Sequence, residues 1–180
     1  VMTQLAQFYG LPNFTEAGCV NATQPDIQAG AEAAVTIMMT QLEGCNLVHD
    51  VGYLEGGRTG YLPFLAICDD LIDMARYAGA GTRVSPEHLA VDCIDDVGPG
   101  GNYMAHPHTF KHFRDEIWDP RFFTRYRWEQ WLAKDKESPM DRALKKVKEV
   151  LANYQAAALP AGAQDEMKAV IGRRESESKA

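Results

Sequence analysis

A strand–helix–strand pattern in the first fifty residues constrains the fold more than any other feature of the sequence. Asn13 to Ala17 is a short strand candidate, and the apolar run Asn46 to Val48, bounded by Gly44 and a glycine-rich loop, has the character of a buried strand. Apolar residues at helical spacing separate the two runs, from Ile27 to Gly44. A strand, one crossover helix and a second strand require the two strands to be parallel, with a right-handed crossover.

Two helices accompany the predicted strands. The apolar face predicted for the crossover helix consists of Ile27, Ala31, Ala34, Val35, Met38 and Leu42. Thr23 with Asp26 forms a capping pattern in front of it, with Pro25 in the first turn. A second helix follows the glycine loop and ends at Gly79; its predicted buried face contains Phe64, Ile67, Cys68, Leu71, Met74 and Ala75.

The chain beyond residue 82 has a helical pattern and no convincing strand. Ser85 and Pro86 predict the start of a helix that continues through Val97. Ser138 and Asp141 form a capping box before a helix to about Tyr154, and a further amphipathic piece runs from about Gln164 to Ile171. The charged tail 173–180 lacks large apolar residues, so we expect it to be disordered.

Two strand–helix units are too few to cover both faces of a sheet, which leaves two arrangements. One is a small sheet sandwiched by its helices, and the other is the C-terminal portion of a (β/α)8 TIM-type barrel. The first residue is Val1 rather than Met, and helices greatly outnumber strands, so the barrel portion is favoured. The predicted α/β fold comprises an incomplete set of the last barrel units in residues 1–82, a helical extension packed on them in 83–172, and the tail 173–180.

Composition excludes several classes of partner. A net charge of −7 argues against nucleic acid as the partner, because proteins bind its phosphates through a concentrated patch of positive charge. The sequence contains neither an apolar run on the order of 18 residues nor a signal peptide, so we predict a soluble, cytoplasmic protein without a membrane partner. The four cysteines are widely spaced, which indicates reduced thiols rather than a metal site.

Candidate functional residues lie at the end of the second strand. In parallel α/β proteins, ligands bind at the carboxyl ends of the strands and in the loops that follow them. His49, Asp50, Tyr53 and Glu55 occupy that position. His49 also fits an ordinary strand end, and Asp50 fits a turn cap, so a structural role remains open for both.

A metal site is not predicted. His108 and His112 are four residues apart on a predicted helix, but Thr109 occupies the position where a zinc-protease motif has Glu. Cys45 and His49 share one face of a strand at a separation of about 13 Å, which is too far for one ion.

Five blocks, in order, resemble the trimethylamine methyltransferase family. They are Phe8-Tyr9-Gly10-Leu11-Pro12, Pro25-Asp26-x-Gln28-Ala29-Gly30-x-Glu32, Leu47-Val48-His49-Asp50-Val51-Gly52-Tyr53-Leu54-Glu55-x-Gly57, Asp95-x-Val97-Gly98-Pro99-Gly100-Gly101, and His108-Thr109-Phe110-x-x-Phe113-Arg114-x-Glu116-x-Trp118-x-Pro120. The resemblance extends from near Ala6 to near Val170 and covers only the C-terminal third or so of a family member.

The resemblance implies a (β/α)8 enzyme that moves a methyl group from trimethylamine, or from a quaternary amine such as glycine betaine, to the cobalt of a corrinoid. A cognate partner protein carries the corrinoid, so we expect no directly bound cofactor, and we expect a homo-oligomer. We predict His49 and Glu55 as catalytic residues, and Asp50, Tyr53, Glu16 and Gln28 as substrate-binding residues. The alternative is a non-catalytic remnant or binding module that retains the family fold.

Overall fold

The structure, a computed structural model, describes residues 1–134 and 136–178 of the chain. The first four elements are helix α1 (Met2–Phe8), strand β1 (Phe14–Glu16), helix α2 (Ile27–Glu43) and strand β2 (Leu47–His49). Strands β1 and β2 pair in parallel, with Phe14 opposite Leu47, Thr15 opposite Val48 and Glu16 opposite His49. The prediction of a parallel pair joined by a crossover helix is therefore confirmed.

A short antiparallel hairpin follows β2, in a segment predicted to be only a loop. It consists of β3 (Tyr53–Leu54) and β4 (Thr59–Gly60), joined by a 3₁₀ turn. Gly52, just before the hairpin, has φ of 87°, and a Cβ at that position would lie 2.7 Å from the Leu65 Cα atom. Glycine is required there because any side chain would collide with the backbone of the next helix.

That next helix, α3 (Leu62–Gly79), packs against α2 and supplies much of the core. Five residues of its predicted apolar face are buried, which confirms that prediction: Phe64, Ile67, Cys68, Leu71 and Ala75. Met74 is partly buried against the same cluster. Val48 of β2 also packs against this cluster, so α2 and α3 cover one face of the parallel pair.

The predicted buried face of α2 is largely wrong. Ala29, Ala33 and Ile37 are buried, whereas Ile27 is 91% exposed and Leu42 is 64% exposed. The small alanine side chains allow close packing at this face, and a pattern based on the larger apolar residues does not detect it.

Asp26, rather than the predicted Thr23, caps α2. The Asp26 carboxylate accepts hydrogen bonds from the backbone N–H groups of Gln28 and Ala29. Pro25 consequently precedes the helix instead of lying in its first turn. Gly44 ends α2 with φ of 67°, the left-handed conformation that commonly ends helices at glycine.

Short helices follow α3. They are α4 (Pro86–Leu89), α5 (Val91–Val97), α6 (Pro107–His112) and α7 (Trp128–Leu132). Ser85 caps α4 as predicted, but the single helix expected through Val97 is divided at Ala90, which has φ of 51°. A non-glycine residue with positive φ interrupts the helical hydrogen-bond pattern and redirects the chain.

A buried carboxylate connects α3 to the segment before α7. Asp70 is 1% exposed and accepts hydrogen bonds from the backbone N–H groups of Arg121 (3.1 Å) and Phe122 (2.8 Å), and from Arg121 Nε (3.2 Å). Phe122 is itself buried in the core. A buried charge is tolerated when several donors surround it, as they do here.

The chain forms two compact units, residues 1–148 and residues 149–180. Helix α8 (Pro139–Asn153) begins at the predicted capping box, in which Asp141 N–H donates to Ser138 Oγ and Ser138 N–H donates to Asp141 Oδ2. Residues 83–148 thus belong to the same unit as the strands, and the predicted boundary at residue 82 stays a prediction.

The second unit contains helix α9 (Ala163–Glu177), and none of residues 149–178 is buried. The prediction of a disordered tail from Arg173 is wrong as far as Glu177, because α9 continues through that segment. Lys179 and Ala180 lie outside the described residues. In the described ranges, no helix has both the length and the apolar character needed to cross a membrane.

The observed architecture is α/β and mainly helical, with one two-stranded parallel sheet and one two-stranded antiparallel hairpin in the described residues. This arrangement is consistent with part of a barrel.

Replacing Asp70 tests the buried connection between α3 and the 121–123 segment. Asp70→Ala leaves buried N–H donors without an acceptor, so we expect the free energy of unfolding to fall by roughly 3 to 5 kcal/mol. Asp69→Ala is the matched control: Asp69 also pairs with Arg121, at 2.6 Å, but its side chain is 59% exposed. Its loss should cost at most about 1 kcal/mol. Equal effects of the two substitutions in urea unfolding would contradict this interpretation.

Candidate active site

The parallel pair presents one face away from the helices. Because side chains alternate along a strand, Phe14 and Glu16 of β1 lie on the same face as Leu47 and His49 of β2. Phe14 is 63% exposed and Leu47 is 59% exposed, so this face is open in the chain. We call Phe14, Glu16, Leu47 and His49 the open strand face.

His49 lies at the centre of a small group of functional side chains. Its Nδ1 is 3.0 Å from Asp50 Oδ2, and its ring stacks on Phe14 with centroids 4.0 Å apart and planes 11° apart. A carboxylate can only accept, so we assign the hydrogen of this contact to Nδ1, which leaves Nε2 available to a ligand. Asp50 has φ of 60°, which turns the chain immediately after the strand.

Cys19 joins this group from the loop after β1. It forms an isolated parallel bridge with Tyr53, which continues the pairing of the two strands beyond their ends. Burial raises the pKa of the Cys19 thiol to about 11, with further contributions from a hydrogen bond to Glu16 and from the charges of Glu16 and Asp50. The thiol is therefore protonated at neutral pH and is a poor nucleophile.

Tyr53 and Glu55 lie on the hairpin rather than beside the imidazole. The Tyr53 ring covers Gly60, since a Cβ on that glycine would lie 3.6 Å from Tyr53 Cε1. Glu55 has φ of 55°, and its Oε2 accepts a hydrogen bond from Thr59 Oγ1 at 3.1 Å. These contacts give both residues a structural role, and their predicted catalytic and binding roles stay predictions.

Gln28 contacts Glu32 rather than the group around His49. Gln28 Nε2 donates to Glu32 Oε1 at 2.7 Å, and the Asn21 N–H donates to Glu32 Oε2 at 2.7 Å. These two hydrogen bonds hold the pKa of the Glu32 carboxyl below its usual value. Gln28 thus fixes the loop after β1 through Glu32, and its predicted substrate contact stays a prediction.

The structure brings together three of the six predicted site residues: Glu16, His49 and Asp50. Sequence reasoning missed Phe14 and Cys19. Alternation along the predicted strand could have identified Phe14, because it lies two residues before Glu16 on the same face. Cys19 had no comparable signal, since its approach to Glu16 depends on the bend of the following loop.

Two cavities adjoin the helices that cover the strands. A cavity of about 370 Å³ is found at the amino end of β2, where Gly44, Asn46 and Leu47 are among its lining residues, so it reaches one residue of the open strand face. An apolar cavity of about 570 Å³ lies between α2, α3 and the start of α8. Phe14, Glu16, His49 and Asp50 line neither of these cavities, and Phe14 is largely exposed, so the group around His49 is part of the surface of this chain.

This surface is suited to a small organic cation. Glu16 and Asp50 supply two carboxylates, and Phe14 supplies an aromatic ring beside His49. Quaternary and tertiary methylated ammonium groups offer few or no N–H donors, so proteins hold them with aromatic faces and negative charge. His49 adds an imidazole nitrogen, Nε2, that can contact a bound ligand.

Comparison with known proteins gives one consistent family. A family model described as trimethylamine methyltransferase (MTTB) matches residues 1–179. The chain is 34% identical over 172 residues to the trimethylamine methyltransferase MttB of Methanosarcina barkeri strain Fusaro, which covers 96% of this chain and 34% of that protein.

Two relatives from Desulfitobacterium hafniense agree with this match. The trimethylamine methyltransferase MttB of strain DCB-2 is 32% identical over 176 residues, covering 98% of this chain and 35% of the relative. The glycine betaine methyltransferase of strain Y51 is 31% identical over 175 residues, covering 97% of this chain and 36% of the relative. The chain spans about a third of the length of the curated relatives it matches.

Alkylation of Cys19 tests the contact between this thiol and Glu16. Only the thiolate reacts, and Glu16→Gln removes a charge that raises the thiol pKa, so we expect iodoacetamide to modify Cys19 several times faster at pH 8. Mass spectrometry of the folded protein would identify the modified cysteine. Glu55→Gln is the control, because the Glu55 carboxylate accepts a hydrogen bond from Thr59 and is not among the groups that raise the pKa of Cys19. An unchanged rate in Glu16→Gln would show that the two side chains do not interact.

Proposed function

The chain belongs to the trimethylamine methyltransferase family, and from this premise we propose that its open strand face helps to hold a methylated amine during methyl transfer to a corrinoid. The corrinoid is carried by a cognate partner protein, so no residue of this chain is assigned to hold it. The observation that carries the proposal is that the Glu16 and Asp50 carboxylates lie beside the His49 imidazole and the Phe14 ring.

We propose that β1 and β2 are two neighbouring strands of a (β/α)8 barrel. The strands are parallel, a helix follows each of them, and Val48 packs against the core while Phe14 and Leu47 are exposed. In a closed barrel the other face points inward, and its residues at the carboxyl ends of the strands form the catalytic mouth. The exposure of Phe14 and Leu47 is explained if the open strand face is an interior surface of a complete barrel.

The proposed chemistry is an in-line displacement at a methyl carbon. The partner's reduced corrinoid, when bound, would supply the electron pair that forms the new bond to the methyl group. The carbon–nitrogen bond breaks and its electron pair stays on nitrogen, so a quaternary ammonium leaves as a neutral tertiary amine. The positive charge on nitrogen disappears in this step, and the protein must hold the cation in line rather than stabilise new negative charge on the amine.

Each residue of the group has a proposed role. Glu16 and Asp50 attract the cation, and the Phe14 ring contacts its methyl groups. His49, oriented by Asp50, uses Nε2 to contact the substrate, and its protonated form can supply a proton where the leaving amine needs one. The protonated Cys19 thiol contributes no competing methyl acceptor beside the substrate.

Exposed apolar side chains on helix α2, such as Ile27 and Val35, also favour self-association. We therefore propose a homo-oligomer, in which these helix side chains are removed from water.

A chimeric enzyme tests the proposed role of His49. This chain would replace the matching third of the Desulfitobacterium hafniense glycine betaine methyltransferase, and methyl transfer would be followed by the absorbance of the corrinoid. We expect His49→Ala to lower kcat by roughly 10²-fold with little change in KM. Glu16→Gln should mainly raise KM, by about tenfold, because it removes one attraction to the cation.

Glu55→Gln is compared with Glu16→Gln in this assay. Because the Glu55 carboxylate is hydrogen-bonded to Thr59, we expect Glu55→Gln to change KM much less than Glu16→Gln does. Parental kcat and KM in His49→Ala and Glu16→Gln would contradict the proposed site. A folded chimera that binds the amine but transfers no methyl group would favour the alternative, a binding module that retains the family fold.

A further inference from the structure

Residues 83–116 form a region that is stabilised mainly by polar contacts. Cys93 is the one buried residue between positions 83 and 116, all of which the structure describes. Four of the five histidines of the chain lie in this region: His88, His106, His108 and His112. Neither α4 nor α6 contains a buried residue, so contacts between side chains must hold these two helices together.

Glu87 of α4 meets two of these histidines on α6. His112 Nε2 lies 2.8 Å from Glu87 Oε1, and His108 Nε2 lies 2.8 Å from the Glu87 carbonyl oxygen. The His108 and His112 rings are neighbours, with centroids 4.5 Å apart, because residues four apart share one helix face. One ligand-type atom from each of the three side chains lies within 4.8 Å of the other two.

We propose that Glu87, His108 and His112 bind a divalent transition-metal ion, with zinc as the best fit, and that the ion fastens α4 to α6. Two imidazoles and one carboxylate are a common zinc ligand set, which leaves further coordination positions to water. Imidazole nitrogen favours zinc and related ions over magnesium or calcium, which prefer oxygen ligands. This site is separate from the open strand face and does not depend on the proposed methyl transfer.

The prediction of no metal site rested on the neighbours of His108 in the sequence, where Thr109 replaces the expected glutamate. The fold supplies the carboxylate from Glu87, 21 residues before His108 in the chain. A two-helix site of this kind cannot be recognised from a local motif.

The Lys111 ammonium competes with a metal ion for the same carboxylate. Lys111 Nζ lies 2.6 Å from Glu87 Oε1. The hydrogen bond from Lys111, followed by that from His112, lowers the pKa of the Glu87 carboxyl to about 2. Glu87 is consequently ionised at neutral pH. A bound ion must displace Lys111 from this carboxylate. It must also bring the ligand atoms to about 3.4 Å from one another, which is their separation in a tetrahedral site.

Metal titration of the untagged 180-residue chain tests the site. Zinc binding would be measured by competition with a chromophoric chelator, and the visible absorption of cobalt(II) would report tetrahedral coordination. We expect Glu87→Gln, His108→Gln and His112→Gln each to weaken zinc binding by at least tenfold. Lys111→Met removes the competing cation and should strengthen binding severalfold. His49→Gln, which lies outside residues 83–116, is the control and should leave the affinity for zinc unchanged.

Thermal unfolding gives a second readout. Because a metal that binds only the folded state stabilises it, zinc should raise the Tm of the parental chain, of Lys111→Met and of His49→Gln, but not of Glu87→Gln, His108→Gln or His112→Gln. Circular dichroism would establish that each variant is folded, and a ligand variant that does not fold is replaced by the alanine substitution at the same position. No saturable binding by the parental chain, or equal binding by all variants, would overturn the proposal and leave the cluster as a salt bridge between two helices.

Discussion

The register between the two parallel strands is the constraint on which the site depends. Glu16 faces His49 because Phe14 pairs with Leu47; a shift of one residue would turn Glu16 towards the helices and leave Thr15 beside the imidazole. Val48 fixes this register from the other face, where it packs against the core formed with α2 and α3. The core under the strands therefore determines which polar side chains meet above them.

The helices after α3 are attached to this core by a different kind of interaction. The Asp70 carboxylate accepts hydrogen bonds from the backbone N–H groups of Arg121 and Phe122, and these bonds hold this segment against α3. Residues 83–116 contribute one buried side chain and rely on polar contacts such as that between Glu87 and His112. Breaking the buried Asp70 contacts is expected to cost much more stability than breaking the exposed contact between Glu87 and His112, because an exposed ion pair is solvated by water.

Much of the backbone could be predicted from local sequence, and much of the site could not. The parallel pair, the buried face of α3 and the Ser138 capping box follow from periodicity and capping residues, which are local signals. The face of α2 was mispredicted because alanines, rather than the larger Ile27 and Leu42, pack against the core. The pairing of Glu16 with His49 and the contact of Glu87 with His112 join residues on different elements, so they depend on tertiary packing that no local pattern specifies. The family resemblance did identify the strand end, through the block that contains His49.

The most direct test of the central claim is to locate where a methylated ammonium ion binds. Isotope-labelled chain would be titrated with tetramethylammonium chloride and followed by NMR, with sodium chloride at equal ionic strength as the reference. If the open strand face holds the cation, saturable shifts will appear at Phe14, Glu16, His49 and Asp50 and will be weakened by Glu16→Gln. Saturable shifts confined to other residues, or shifts identical to those caused by sodium chloride, would contradict the account.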